Sequence, residues 1–360
     1  MSDTIPTLPE YRVRLFLAVD LVGSTAFKNR NSNPFKWQKT FQKFYDEFPA
    51  LLTTKFDEVA QRATTSLHSS EKEFGGPKLW KTIGDEIIFC CRLRSVCHLT
   101  ACIEAFMSSL QEFGESIEAA CGLDTKGNAW VASFPTPNSS IRPLLPNRNE
   151  CMSYDIISEE LEIQADEEPH LFDFLGKGID SGFRISKNST VNHLTISPGL
   201  AILLITGAEN CGVTRFNKKI RLHDAQIFKG VAENNPYPVL VMDVYRDEKK
   251  AKLIEQQTIL LGQKYHQENS CLKEYLIDYL SAHSIEIPKL PIIYHRDLKD
   301  LGDEFLPDFY MEFTEDWKRE VKEGKESYSD DDINTTASTE IKEGSLNQAW
   351  DLLQDLRDIK

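Results

Sequence analysis

The hydrophobic pattern changes period several times along the chain, and each change marks an element. Arg12 to Asp20 is an almost unbroken apolar run ending on an aspartate, which predicts a buried strand. From Pro34 to about Leu67 the apolar positions fall at helical spacing, with Phe35, Trp37, Phe41, Phe44 and Tyr45 on one stripe. Pro49 is expected to kink or break that helix. Two β-type runs, Leu79 to Ile83 and Ile87 to Cys91, flank Gly84-Asp85 and predict a tight hairpin with the aspartate at its tip. Ser95 to Phe113 predicts a second amphipathic helix. Glu118 to Ala132 reads as a strand pair turning at Lys126-Gly-Asn, and Ser133 to Glu150, rich in Pro, Ser and Asn, as a loop.

In the second half, Phe172 to Ser186 is a glycine-punctuated loop entering a helix, on which Asp180 and Arg184 lie four apart and share a face. Lys219 to Val244 is β-rich and holds Ile227-Phe-Lys229-Gly230 and the run Val239 to Asp243. After Tyr245 the chain becomes helix-like and charged up to about His283, and Pro288 and Pro291 end that pattern. No internal repeat is present. The expected organisation is a domain over 1–245, a helical extension over 246–325, an acidic disordered linker over 326–344, and a closing helix over 345–360 with Leu346, Trp350, Leu353 and Leu356 on one stripe.

Composition narrows the classes. The 360 residues carry a net charge of −15, which disfavours a polymerase or nuclease because an acidic surface repels nucleic acid. No apolar run is long enough to span a bilayer, and Met1-Ser-Asp-Thr-Ile-Pro lacks the basic and apolar regions of a signal peptide. A cytoplasmic protein without a membrane or nucleic-acid partner is expected. The eight cysteines form no C-x-x-C pair, so they read as reduced core thiols and no zinc site is expected.

The candidate chemistry lies in two segments, Phe16-Leu-Ala-Val-Asp20-Leu-Val-Gly-Ser-Thr25 and Lys81-Thr-Ile-Gly-Asp85-Glu-Ile-Ile-Phe89. Each puts an aspartate at the end of an apolar run. Two strand ends can set two carboxylates side by side, and carboxylates that close repel unless a divalent cation lies between them. Oxygen ligands beside a Gly-Ser-Thr turn suggest Mg²⁺ or Mn²⁺ holding a nucleoside triphosphate. Taken singly the residues have plainer readings: Asp85 as a turn aspartate, Asp20 as a helix cap, Asp180 with Arg184 as a surface pair. Their joint order outweighs those readings.

Together the segments resemble the class III nucleotidyl cyclases, the adenylate and guanylate cyclase catalytic domains, over roughly residues 10–245. The resemblance implies an α+β, ferredoxin-like catalytic core, an antiparallel sheet with helices, followed here by the helical C-terminal extension. It makes Asp20 and Asp85 the ligands of two divalent ions, with the Leu21 carbonyl completing the site. It gives Val22, Gly23, Ser24 and Thr25 amides for phosphate oxygens, and Lys81 and Asp173 the reading of the base edge. Asp180 and Arg184 match the pair that orients the ribose and stabilises the transition state, and Lys229 the lysine on the terminal phosphates. Asp180 departs from the asparagine the family pattern has there. The implied reaction is attack of the ribose 3′-oxygen on the α-phosphorus with loss of pyrophosphate, in a head-to-tail homodimer whose two sites each draw metal residues from one subunit and base-reading and arginine residues from the other.

A lysine donor beside an aspartate acceptor suits adenine N1/N6 or cytosine N3/N4, tolerates uracil with the order reversed, and suits guanine least. The lack of a recognisable sensory module gives the chain the look of the bacterial pyrimidine cyclases of Pycsar anti-phage systems. That narrower resemblance implies CTP or UTP as substrate and cCMP or cUMP as a messenger for a separate effector. A cytosolic adenylate cyclase is the second reading, and an inactive nucleotide-binding module the third.

Overall fold

Strand β1 (Arg12–Val22) is the axis of the structure, a computed structural model that describes residues 6–31, 33–63, 75–143, 157–210, 220–244, 248–261, 269–292 and 305–331. After β1 come α1 (Ser24–Arg30), α2 (Pro34–Ala63), β2 (Lys78–Ile83), β3 (Glu86–Leu93), α3 (Val96–Cys121), β4 (Asp124–Phe134) and β5 (Ser139–Ile141). Then follow α4 (Glu159–Glu167), β6 (Asp173–Leu175), α5 (Lys177–Ile185), β7 (His193–Ile196), α6 (Pro198–Asn210), β8 (Ile220–Ile227) and β9 (Pro236–Asp243). Helices α7 (Glu248–Leu260), α8 (Asn269–Ala282) and α9 (Asp308–Asp331) close the described chain.

Seven strands form one sheet in the order β2-β3-β1-β4-β7-β9-β8. β1 is antiparallel to both β3 and β4, and β4 to β7 is a parallel pair. Up to β4 this is a β-α-β-β-α-β unit with strand order 2-3-1-4, the ferredoxin-like arrangement. The period-2 side-chain rule sends β1 into two cores. Val13, Leu15, Leu17, Val19 and Leu21 pack beneath the helical layer of α2, α3, α6 and α8. Phe16 and Ala18 face the other way, into Trp80, Trp130, Phe134, Phe174 and Ile179. That double burial explains the nearly continuous apolar run.

Helix α4 is fixed to β1 by buried charges. Asp166 accepts from Arg12 at 2.8 Å, from Arg14 at 2.7 Å and from Arg92 at 3.3 Å. Glu162, wholly buried, lies 2.7 Å from Arg14, and Arg12 also pairs with Glu159. Burial alone would push the Asp166 carboxyl up; Arg14, Arg12 and Arg92 outweigh it and hold it below the usual carboxylate range.

A strap from the late chain seals the core. The Val96 and Cys97 amides, orphans at the start of α3, donate to the carbonyls of Pro291 (2.8 Å) and Ile292 (3.2 Å). Lys289 N donates to the Tyr11 hydroxyl at 3.0 Å, and the Tyr310 hydroxyl to the Pro9 carbonyl at 2.8 Å. Glu286 accepts from Ser133 N and Asn138 Nδ2, and burial lifts its carboxyl to about 7. Leu272, Leu276 and Leu280 of α8 join the helical-side core, so the first compact unit runs Met1–Glu315. Of the second, Asp316–Lys360, the described part is helical up to Asp331.

Three expectations need correction. Glu118 to Ala132 is not a strand pair: α3 runs on to Cys121, caps on the left-handed Gly122 (φ 73°), and β4 is one unbroken strand. Gly127 is there for packing. A Cβ on it would come within 2.6 Å of Leu110 and 3.0 Å of Leu194, so its absence lets α3 approach the sheet. Pro49 does not break α2, which is continuous to Ala63; its expected end near Leu67 lies outside the described residues. Residues 326–331 continue α9 rather than being disordered, whereas 332–344 and the closing helix over 345–360 lie outside the described residues.

Candidate active site

β1 delivers Asp20 to its C-terminal end, where register sets it opposite Glu86 on one side and Lys126 on the other. The β2–β3 turn delivers Asp85, with Gly84 at φ 63° as the tight tip requires. The two segments are tied together: Leu21 N donates to the Asp85 carbonyl at 3.3 Å, and the Ser24 hydroxyl bonds the Asp85 carboxylate. Tyr45 of α2 donates to the Gly84 carbonyl and fixes the hairpin tip from the helical side. Val22 ends β1, and Gly23 at φ 86° turns the chain so that Ser24 and Thr25 open α1.

Three carboxylates therefore share a small volume, and two of them, Asp20 and Glu86, are harder to ionise than usual. Burial, then Lys126 and Asp85, act on Asp20; the net effect raises its pKa although Lys126 Nζ sits 3.0 Å away. Glu86 is lifted to about 7, by burial first and then by Asp20 and Asp85. Such a cluster is relieved by a hard cation, and its donors are all oxygen. Glu86 and Lys126 were missed in the sequence. Glu86 could have been found as the neighbour of Asp85; Lys126 becomes a neighbour of Asp20 only through strand register.

A second group of predicted residues forms elsewhere on the chain. Lys81 of β2 meets Asp173, which opens β6, at 2.5 Å, with the lysine 4.7 Å above the Trp80 ring. Both side chains are about one-third exposed, 33% and 39%. The pair presents a donor and an acceptor side by side at the surface. Asp180 and Arg184 lie one turn apart on α5. That helix is held hard against β4: Asn128 Nδ2 donates to the Gly182 carbonyl at 3.0 Å, and a Cβ on Gly182 would come within 2.4 Å of Trp130. Gly178 N donates to Asn138 Oδ1 at 2.9 Å, and Asn138 in turn donates to Glu286. Lys229 stands exposed in the turn after β8, at the sheet edge opposite β2.

The structure thus brings together Asp20, Leu21, Ser24 and Asp85, and separately Lys81 with Asp173 and Asp180 with Arg184. The side chains of Asp180, Arg184 and Lys229 make no hydrogen bond or ion pair among the described residues. Asp180 and Lys229 are exposed and Arg184 is half-buried.

No protein-family profile and no curated protein match the sequence. Solved structures do. The adenylyl cyclase CyaB from P. aeruginosa is similar at 9% identity over 65% of this chain and 94% of that one, with a TM-score of 0.42. The guanylyl cyclase Cya2 is similar at 13% over 65% and 92%, TM-score 0.37, and an adenylate/guanylate cyclase/hydrolase from Silicibacter pomeroyi at 14% over 65% and 97%, TM-score 0.34. The likeness is one of fold alone. Superpositions this loose carry no residue correspondence, and the ferredoxin-like assignment rests on the strand order of this chain. No helix among the described residues is long and apolar enough to cross a membrane.

Proposed function

We propose that this protein is a metal-dependent nucleotidyl cyclase that converts a pyrimidine nucleoside triphosphate, CTP ahead of UTP, to its 3′,5′-cyclic monophosphate and pyrophosphate. The observation that carries the reading is the junction of the β1 end with the β2–β3 tip, which sets the Asp20 and Asp85 carboxylates beside Ser24 and the Gly23 turn. An all-oxygen set with excess negative charge fits two Mg²⁺ or Mn²⁺ ions, held by Asp20, Asp85 and the Leu21 carbonyl. When bound, such ions lower the pKa of the attacking 3′-hydroxyl and neutralise triphosphate charge.

The chain's own groups supply the rest. The amides of Val22 to Thr25 meet phosphate oxygens. Arg184 stabilises charge developing on the α-phosphoryl oxygens, and Lys229 the departing pyrophosphate. Asp180, one turn from Arg184, orients the ribose by accepting a hydroxyl hydrogen bond. As the cyclase resemblance implies, a second copy supplies these side chains, head to tail, giving two equivalent sites per homodimer. Exposed apolar residues around the Lys81–Asp173 pair support a covered surface there: Leu79 and Ile83 on β2, Ile141 on β5, Leu175 on β6.

Cytosine presents an acceptor at N3 and a donor at N4, matching Lys81 and Asp173, and the narrower Pycsar resemblance favours a pyrimidine. The cyclic product would then act on a separate effector during phage infection. The adenine edge offers the same order of acceptor and donor, so ATP is the alternative substrate. Purified protein incubated with each of the four triphosphates and Mn²⁺, with products identified by mass spectrometry, decides among them. cCMP or cUMP in excess is the expected result. Exclusive cAMP would overturn the pyrimidine assignment, and no cyclic product from any triphosphate would overturn the cyclase.

A further inference from the structure

At the other end of β3, away from the carboxylates, three metal-binding side chains face one another. Cys91 of β3 projects into the helical-side core, and His98 and Cys102, four apart on α3, line the helix face packed against it. Cys91 Sγ and His98 Nε2 are 3.9 Å apart, and the three ligand atoms all lie within 4.8 Å of one another. The group is buried, with Cys91 and His98 each 6% exposed and Cys102 fully covered. Its outer wall is not closed: Cys91 and His98, with Gly75 and Arg94, line a cleft of about 400 Å³.

We propose that Cys91, His98 and Cys102 bind a zinc ion, with the fourth coordination position turned to the cleft and filled from solvent. Two sulfurs and an imidazole are the donor set of zinc, not of the hard ions that suit Asp20 and Asp85. Binding releases the two thiol protons, and two thiolates cancel the charge of Zn²⁺, so a neutral complex replaces polar groups in an apolar core. Tetrahedral zinc places its sulfur and nitrogen ligands about 3.5–3.8 Å apart. The Cys91–His98 separation already approaches that, and the cysteines close the remainder by rotating about χ1. His98 Nδ1 accepts from Arg94 N at 3.3 Å, which leaves the imidazole proton on Nε2 in the metal-free protein. Coordination through Nε2 moves that proton to Nδ1, and the Arg94 amide must turn away. One long hydrogen bond is weak beside two zinc–thiolate bonds, and Arg94 lies between β3 and α3 at the cleft wall, where it can move.

The site is independent of the cyclase reading. Cys91 pairs with Leu15 and Glu86 with Asp20, so about five residues of strand, roughly 17 Å, separate the two centres. Its effect would be to cross-link β3 to α3. The test is metal analysis of the full-length protein after zinc loading and exhaustive dialysis, paired with Co²⁺ substitution. Near-stoichiometric zinc and a sulfur-to-cobalt charge-transfer band in wild-type protein are expected. Cys91→Ser and Cys102→Ser should bind zinc at least about tenfold more weakly and lose that band, while Asp20→Ala leaves both unchanged. Wild-type protein that retains no zinc, a cobalt spectrum without thiolate bands, or loss of the metal on Asp20→Ala instead would each overturn the assignment. The wild-type spectrum decides even if a cysteine variant fails to fold.

Discussion

Asp166→Asn should be the most damaging single substitution of a charge outside the candidate active site. Its carboxylate serves Arg12, Arg14 and Arg92 together, and its side chain is 11% exposed. Neutralising it leaves three guanidiniums with Glu10, Glu159 and Glu162 as their remaining carboxylates. Breaking a buried pair from one side costs about 3–5 kcal/mol. A unit of 315 residues has an unfolding entropy near 0.66 kcal/mol/K at about 2.1 cal/mol/K per residue, so the loss corresponds to a Tm about 5–8 °C lower. The pH dependence follows from the direction of the Asp166 shift. Its folded pKa lies below its unfolded value, so the carboxylate contributes fully above the unfolded pKa of about 3.9 and loses its contribution as pH falls through the folded pKa. Differential scanning calorimetry of both proteins should give a Tm gap that is constant from pH 7 to pH 5 and narrows towards pH 3. A variant melting within a degree of wild type at pH 7, or a gap that does not shrink in acid, would refute the reasoning.

Asp20→Ala and Arg184→Ala, each inactive alone, should regain about a quarter of wild-type turnover when mixed equally with subunit exchange, since half the dimers are mixed and each mixed dimer has one sound site of two; no recovery would mean each chain holds a complete site. Lys81→Ala and Asp173→Ala should change the ratio of cyclic products more than total turnover, because a base seated on this surface pair covers it and a mismatched base then leaves a polar group unpaired at a cost of about 1–3 kcal/mol; an unchanged ratio in both would move base selection elsewhere. Gly182→Ala drives a Cβ into Trp130 and displaces α5, so kcat should fall at least about tenfold with the circular dichroism spectrum preserved; wild-type kcat would show that α5 tolerates the shift.

What was legible in the sequence was local. The β1 run, the Gly84-Asp85 tip and the Asp180–Arg184 face each depend on a few consecutive residues, and all three are present. What was not legible depends on register or on packing between distant elements. Lys126 reaches Asp20 because β4 pairs with β1 along its length, and nothing in Lys126-Gly-Asn distinguishes a turn glycine from one that makes room for Leu110. The absence of a C-x-x-C pair says nothing of Cys91, His98 and Cys102, since a strand cysteine and an i, i+4 helix pair do not spell a zinc motif. α6 is apolar nearly all round, so it has no stripe to read.

The bonds of Glu286, Lys289, Pro291 and Tyr310 to Ser133, Tyr11, Val96 and Pro9 also set a timetable. A ribosome adding about 5–20 residues per second reaches residue 300 only about 15–60 s after it starts. Through that interval the first amides of α3 lack their carbonyl partners, although the strands beside them were made long before. The nascent chain is therefore open along one seam for most of its synthesis, and a chain cut after Val244 would keep that seam open permanently.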